Sequence, residues 1–347
     1  MTAKEKMNKM KYRRIIVSSH GGPEVLQVVE EELPEPQPGE VRVRVLAAGV
    51  SAYDLMFRRS GSFPGTPRVP FTLGEDIVGV VDKLGEGVSS IKPGQMVAGA
   101  TFSLGVGGGY AEYICLSARE LVIVPPGVDP AEAVCLVVNY LTAHIALHRT
   151  AKVQKGERIL VHGAAGGVGT ALLQLGKLAG LEMYGTASKH NHELVSGLGA
   201  TPIDYRSEDF VKRIRNITGD GVDAVFDPIG GAMQVWRSYR ALRKGGRLVW
   251  FGVAATKKAG LRVIPFTILM VFLLKVIPDG KKTPLTPDIG KDNDWYRETL
   301  TELLDLVAAG SINPVVAERI PLLEAARAHE LLDRGGYAGK VVLITDT

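Results

Sequence analysis

The sequence predicts an α/β protein in which a doubly wound parallel sheet follows a β-rich, barrel-like domain. Three observations predict it. Short alternating strands separated by Gly and Pro turns fill residues 13–130, and strands alternate with helices from Ala131 to about Phe251. A glycine-rich turn then stands where an apolar strand meets a helix, at Leu160 to Leu175.

The elements follow in order. Arg14–Ser18, the cleanly alternating Val41–Val45, Ile77–Val81, Met96–Ala98 and Ala111–Cys115 read as strands of the first part. Leu141–Thr150 reads as a helix, and strand Arg158–His162 with helix Thr170–Ala179 opens the second part. Strand Glu182–Ala187, helix Asp209–Ile217, strand Ala224–Asp227, helix Trp236–Leu242 and strand Arg247–Gly252 continue it. A helix over Trp295–Ala309 leads to Ile312-Asn313-Pro314 and a closing strand, Lys340–Ile344. The domains are expected at 1–135, 136–304 and, as a return to the first, 305–347, with 1–11 a flexible tail.

The turn Gly163-Ala164-Ala165-Gly166-Gly167-Val168-Gly169 has the form of a dinucleotide phosphate site. Glycines permit the tight turn and a close backbone approach to a pyrophosphate, and the helix N-terminus supplies free N–H groups and the positive end of a dipole. The next strand says which dinucleotide. An NAD site places an Asp or Glu at its C-terminal end for the ribose 2′-OH. Ser188-Lys189-His190-Asn191-His192 stand there instead, hydroxyl and basic groups suited to a 2′-phosphate, so NADP(H) is expected over NAD(H).

Composition bounds the rest. With 46% hydrophobic and 22% charged residues, 347 residues suffice for two domains with cores. The +4 net charge is more than accounted for by Met1–Arg14, where six cations face Glu5. The remainder is near neutral, which argues against a nucleic-acid groove. Two cysteines, Cys115 and Cys135, make no disulfide framework, and a reducing cytoplasm is the expectation. The tail has no apolar core of signal-peptide length. The apolar run Leu261–Ile277 carries Arg262, Pro265 and Lys275 and is too short to span a bilayer. A buried helix, a subunit interface or a cleft wall is expected, with peripheral membrane contact as the alternative.

Several further motifs occur in a family's order: Gly21-Gly22-Pro23-Glu24-Val25-Leu26, Gly74-Glu75-Asp76-Ile77-Val78-Gly79, Val88-Ser89-Ser90-Ile91-Lys92-Pro93-Gly94, Asn139-Tyr140-Leu141-Thr142-Ala143, Asp227-Pro228-Ile229-Gly230-Gly231 and Gly339-Lys340-Val341-Val342-Leu343. With the glycine turn they resemble the medium-chain dehydrogenase/reductase superfamily, in particular its zinc-independent quinone oxidoreductase branch. Gly185–Ser188, Pro202–Tyr205 and Gly221–Asp223 look most like the group related to the vesicle amine transport protein. The resemblance implies a GroES-like first domain, a Rossmann second domain and a homodimer.

It also implies roles. Asn139 and Thr142 would lie near the nicotinamide, with Gly163, Gly166, Gly167, Val168 and Gly169 at the pyrophosphate. Ser188, Lys189 and Tyr205 would lie near the 2′-phosphate, and Phe251, Gly252 and Val253 would border the nicotinamide. Zinc-dependent relatives hold metal with Cys, His and Cys, and the matching positions are Ser51, Glu75 and Val138. A valine cannot bind zinc and a serine binds it poorly. His144 and His148, four apart on a helix, are a weaker metal alternative with no carboxylate at helical spacing. Without a metal to polarise a simple ketone, the expected acceptor is a quinone or an α,β-unsaturated carbonyl, which spreads the new charge by conjugation. Many relatives have Asn at position 51 and a 2′-phosphate lysine near His192. These departures leave the donor open: Tyr53 and Ser51 are the catalytic candidates, Tyr53 as hydrogen-bond donor to the developing oxyanion, with a packing aromatic as the alternative for Tyr53. A nucleotide-binding, membrane-peripheral protein with little turnover is the alternative, favoured by an exposed Leu261–Ile277.

Overall fold

The computed structural model describes residues 10–63, 65–101, 105, 107–256, 260–284 and 293–345. The basic tail read from the sequence therefore lies mostly outside the described residues. The chain divides into two compact units, Met1–Val138 with Gly290–Thr347, and Asn139–Ile289.

In the first unit, the longest strand is Glu40–Val50, whose Val41, Val43 and Val45 point into the core and are essentially buried. It pairs antiparallel with Asp76–Leu84, with Tyr113–Ser117 and with the closing strand Lys340–Ile344. Val316–Pro321, Met96–Ala100 and Leu121–Ile123 complete a seven-stranded sheet. The chain returns to this unit earlier than residue 305. Helix Asn293–Ala308 buries Tyr296, Leu300, Leu303 and Leu304, and the Tyr296 hydroxyl accepts from the Ala100 N–H (2.9 Å) and donates to the Glu120 carbonyl (3.1 Å). The helix period puts these four side chains on one face, so the whole helix follows Tyr296 into the first unit.

Among the described residues, the second unit holds five parallel strands in the order Ala200–Asp204, Glu182–Ala187, Arg158–His162, Val222–Asp227, Leu242–Trp250. The chain starts in the middle and builds outward both ways. The order of winding reverses at Arg158–His162, and the crevice beyond its carboxyl end is where such sheets bind ligands. Residues Pro130–Ala151 form a 22-residue helical stretch apolar enough to cross a bilayer, but 72% of its apolar 18-residue window is buried inside the protein, as in a core helix.

The apolar run forms helix Val263–Lys275, and it is not a buried helix. Thr267, Val271 and Leu274 face inward, whereas Phe266, Ile268, Leu269, Phe272, Leu273 and Val276 are exposed.

Candidate active site

The glycine turn is built as the sequence implies. Gly163 has φ 62°, in the left-handed region open to glycine, and its carbonyl accepts from the Gly166 N–H at 2.9 Å. Gly166 is the N-cap of helix Gly167–Leu178 and contributes no side-chain cap, so the first N–H groups are left for a ligand. Gly163, Gly166, Gly167 and Val168 keep part of their surface exposed, while Gly169 is buried. A Cβ on Gly169 would lie 2.8 Å from Ala164 Cα and closer still to the Gly163 carbonyl. The buried Asn139 carries its amide against Gly167, in the space a Cβ there would occupy, and Thr142 follows on the same helical stretch. This cradle fits a dinucleotide pyrophosphate.

The far walls are strand ends. Phe251 N–H donates to the Asp227 carbonyl (3.1 Å) and Ala254 N–H to that of Pro228 (3.0 Å). Gly252 lies so close to Pro228 that a Cβ would meet the Pro228 carbonyl at 2.5 Å. Val253 sits in the same laced segment, its carbonyl accepting from the Thr256 hydroxyl at 2.7 Å. Beneath it, Asp227 Oδ1 accepts from the Ile229 and Gly230 N–H groups (2.8 and 3.1 Å), and Oδ2 accepts from the Ser238 hydroxyl (2.7 Å). Ser238 Oγ lies 3.1 Å from His162 Nε2, and His162 Nδ1 lies 3.0 Å from Thr186 Oγ1. All four side chains are buried, and burial lowers the His162 pKa, keeping the ring neutral.

At the end of Glu182–Ala187, Ser188 is nearly buried, its Oγ 3.3 Å from His190 Nε2, while Lys189 and His190 are exposed. Tyr205 is exposed on the neighbouring strand end. Arg206, which the sequence does not single out, joins them with its guanidinium 5.8 Å from the Tyr205 ring centre. His192 has a buried Nε2 with no partner among the described residues. Asp204 is also near, in register with Ala187, but its oxygens accept from the Arg206 N–H and the Ser207 hydroxyl. Those bonds hold it below the usual carboxylate range. The signal for Arg206 is present in the sequence, since it follows the strand paired with Glu182–Ala187.

The first unit places Ser51 and Tyr53 at the start of helix Ala52–Arg59. Ser51 is its N-cap. The hydroxyl accepts from the Asp54 N–H (3.3 Å), and the Ser51 N–H donates back to Asp54 Oδ2 (2.7 Å), which leaves the serine proton free to donate. Asp54 Oδ1 also accepts from the Gly74 N–H (3.0 Å), so one buried carboxyl ties Ser51 and Tyr53 to the Gly74–Asp76 segment. Tyr53 packs near Phe57 and Phe63 and keeps 39% of its surface exposed, and burial, then the charge of Glu75, raises its phenol pKa.

Glu75 is the residue whose state the sequence does not reveal. Its carboxyl has no hydrogen-bond partner among the described residues, and burial next to Asp54 and Asp76 pushes it up to about 8, against the opposing pull of Lys340. Burial likewise pushes Asp54 to about 6. Asp76 is paired with Lys340 at 2.7 Å, and both are buried. A carboxyl with a raised folded pKa binds its proton more tightly folded than unfolded, so its stability contribution is complete below the unfolded value and lost as pH rises through the folded one. Melting temperature is expected to fall between about pH 4.5 and 8, and Glu75→Gln to flatten that fall. Each tenfold gain in proton affinity on folding is worth about 1.4 kcal/mol. Identical pH profiles for the two proteins, followed by thermal melts, would remove Glu75 from the account.

Val138 offers no donor atom, and among the described residues no group of three or more His, Cys, Asp or Glu is arranged to hold a metal. The residues at 51, 75 and 138 do not fit a zinc ion. His144 and His148 do face each other, ring centres 4.6 Å apart. Burial, His148 and Arg149 push His144 down to about 4.

Comparison with known proteins bears on this geometry. Residues 37–126 match the alcohol dehydrogenase GroES-like domain, and residues 198–343 match the family described as zinc-binding dehydrogenase. The chain is 34% identical over 342 residues to quinone oxidoreductase 1 of Escherichia coli, covering 95% of this chain and 99% of that protein. It is 35% identical over 344 residues to the human synaptic vesicle membrane protein VAT-1 homolog, covering 96% and 86%. A solved structure of mycobacterial Rv1454c complexed with NADPH superposes with a TM-score of 0.83 at 30% identity, covering 96% of this chain and 99% of that one. A nicotinamide-type glycine cradle, a GroES-like first unit and relatives aligned along nearly the whole chain lead to one conclusion: the protein is an oxidoreductase of the medium-chain dehydrogenase/reductase superfamily, in the branch of the quinone oxidoreductases.

Proposed function

We propose that this oxidoreductase uses NADPH, without zinc, to reduce quinones or the C=C bond of α,β-unsaturated carbonyls. The observation that carries the reading is the donor set of the first unit, where Ser51, Tyr53 and Glu75 supply O–H groups at and beside positions that zinc-dependent relatives use for metal. A bound nicotinamide would supply the hydride. The chain's own residues hold and polarise. The Gly163–Gly169 turn holds the pyrophosphate, while Asn139, Thr142 and Phe251–Val253 border the nicotinamide. Ser188, Lys189 and Tyr205, joined by Arg206, take the 2′-phosphate. Tyr53 stays protonated at neutral pH and donates to the oxyanion that develops on the acceptor. Conjugation spreads that charge, so a hydrogen bond suffices where a saturated ketone would need a Lewis acid. Two free cysteines agree with a cytoplasmic location, and a homodimer is the family's habit.

Steady-state NADPH oxidation across a panel of quinones, enones, saturated aldehydes and alcohols tests this reading. Quinones or enones are expected to turn over and saturated aldehydes to stay essentially untouched; rapid oxidation of isopropanol with NADP⁺ would refute the chemistry. Tyr53→Phe is expected to lower kcat more than it weakens NADPH binding. Lys189→Ala is expected to weaken NADPH by about tenfold or more, since a hydrogen bond to a charged group contributes about 1.5–3 kcal/mol, and to leave NADH unchanged. Equal affinity of the unaltered protein for the two nucleotides, by fluorescence titration, would sink the NADPH assignment. One observation favours a second reading, a membrane-peripheral nucleotide-binding protein with little turnover: the exposed apolar face of helix Val263–Lys275.

A further inference from the structure

Asp54 ties Ser51 and Tyr53 to a buried row of polar groups that the proposed chemistry does not use. Arg58, Tyr110 and His329 are completely buried, and they come from helix Ala52–Arg59, the segment before strand Tyr113–Ser117 and helix Ala325–Arg334. Arg58 Nε donates to His329 Nδ1 at 3.1 Å, and its other nitrogens donate to the Gly21 carbonyl and to Asp333, both at 2.9 Å. His329 Nε2 lies 3.2 Å from the Tyr110 hydroxyl. That hydroxyl is bonded in turn to Asp54.

The sense of the row is fixed at its arginine. A guanidinium only donates, so His329 Nδ1 is bare. Burial, then the charges of Arg58 and Arg59, pushes this histidine down to about 3, so the ring is neutral and its single proton sits on Nε2. Nε2–H therefore donates to the Tyr110 oxygen, and the Tyr110 proton is left for Asp54. A donor behind the phenol polarises it and strengthens that last bond. Tyr110 is itself held, its N–H donating to the Leu73 carbonyl at 2.9 Å and its ring filling the space that a Cβ on Gly74 would need.

Among the described residues Asp54 thus meets donors alone: the Ser51 N–H at 2.7 Å, the Gly74 N–H at 3.0 Å and the Tyr110 hydroxyl. These partners suit a carboxylate and give a protonated carboxyl no acceptor. The other charged groups that face it are Glu75 and Asp76, next to Gly74, and Lys340 on the closing strand. Asp54 in turn closes the N-terminal capping box of helix Ala52–Arg59, with Ser51 as N-cap and Tyr53 in the first turn. Protonation would loosen its bond from the Ser51 N–H, and with it the aim of both hydroxyls.

We propose that Tyr110 and His329 are positioning residues for the reduction: they hold Asp54 as an accepting carboxylate, which keeps the Ser51 and Tyr53 hydroxyls aimed at the acceptor. This rests on the reading that those hydroxyls donate to the acceptor.

Two measurements test it, the pH dependence of kcat/KM for a quinone or enone and the titration of Asp54 itself. The second is followed by carbon NMR of protein labelled at the aspartate carboxyls, with Asp54→Asn for assignment. In the unaltered protein both are expected to turn at about pH 6, where burial, opposed by the bonds from Ser51 and Gly74, sets Asp54. Tyr110→Phe removes a donor to the charged form, so both midpoints are expected to rise by about one unit, the scale of one hydrogen bond to a charged group. kcat/KM is then expected to fall about fivefold at about pH 6 and hardly at about pH 8, with NADPH affinity unchanged. His329→Leu is expected to move the midpoints the same way by less. His329→Gln, whose amide oxygen can accept from Arg58 while its N–H donates to Tyr110, is expected to leave them in place. A folded Tyr110→Phe protein that loses activity equally at every pH, or keeps the Asp54 midpoint of the unaltered protein, overturns the proposal. If Tyr110→Phe does not fold, the His329 variants decide, and equal midpoints in the two overturn it. The carbon titration needs no turnover: a panel in which nothing is reduced refutes the chemistry, whereas an unmoved Asp54 midpoint refutes the row.

Discussion

Replacing Lys340 with methionine is expected to destabilise the first unit by about 3–5 kcal/mol, the usual cost of removing one partner from a buried ion pair. Lys340 faces Asp76 at 2.7 Å with almost no solvent on either, and Asp54 and Glu75 stand beside them. The lysine is the cation among three carboxyl groups. Without it Asp76 keeps a buried charge that water cannot reach. The absence of a Cβ on Gly49 leaves the room in which the lysine stem and the Asp76 carboxyl meet, so the variant has no spare space to admit solvent. Urea unfolding followed by fluorescence measures the loss. Lys340→Met combined with Asp76→Leu is expected to recover most of it, because an apolar pair of similar volume often replaces a buried ion pair at little cost. A single-variant loss under about 1 kcal/mol, the scale of an exposed pair, would show that the charges are solvated after all.

The second large effect is on nucleotide binding. Gly169→Ala is expected to reduce NADPH affinity at least a hundredfold, about 2.8 kcal/mol. The added methyl would lie 2.8 Å from Ala164 Cα, and its neighbours are all backbone of the turn itself, so no rotamer change relieves it. The turn must open, and the N–H groups proposed to hold the pyrophosphate would be re-aimed. Gly197→Ala is the control: a Cβ there meets nothing within 4 Å, and binding is expected to stay as it was. Fluorescence titration of NADPH against both variants decides it, and normal affinity in Gly169→Ala would place the phosphate site elsewhere.

What the sequence makes legible follows from where the physical signal is local. Strands Arg158–His162, Glu182–Ala187 and Lys340–Ile344 are legible to the residue, because each is an apolar run stopped abruptly by turn or polar residues. The glycine turn and the Ser188-Lys189-His190 end are legible for the same reason. Strand Leu26–Glu32 is not, since it is held by pairing with Lys11–Val17 and buries neither face, which erases the period-2 pattern. Helix Ala52–Arg59 escapes the sequence because it buries Asp54 and Arg58, residues that composition assigns to a surface. Arg58 is buried because its guanidinium donates to His329 Nδ1 and to Asp333, roughly 270 residues away. The state of Glu75 depends first on its burial and on Asp54, which the fold brings beside it, and no local pattern announces that environment. The Val263–Lys275 helix is hard to read for a different reason. Its composition is apolar all round, so the sequence does not say which face the fold covers.

The hydrogen bonds among Thr186, His162, Ser238 and Asp227 have a sense as well as a pattern. Asp227 as a carboxylate only accepts, so the Ser238 proton points to it, and the serine oxygen must take its own bond from His162 Nε2–H. That fixes the tautomer: Nδ1 is bare and accepts from the Thr186 hydroxyl. Every proton in the row points one way, from the end of one strand, across the sheet's middle, to the carboxylate that caps the Ile229–Gly230 turn. Reversal would require the aspartate to donate. Among its rotatable groups the row therefore has a single ground arrangement, and a nitrogen NMR spectrum of His162 should show one slowly exchanging Nε2–H species with a bare Nδ1. The floor beneath the Phe251–Val253 strand end is polar, yet its hydrogen bonds leave no orientational freedom for a ligand to remove.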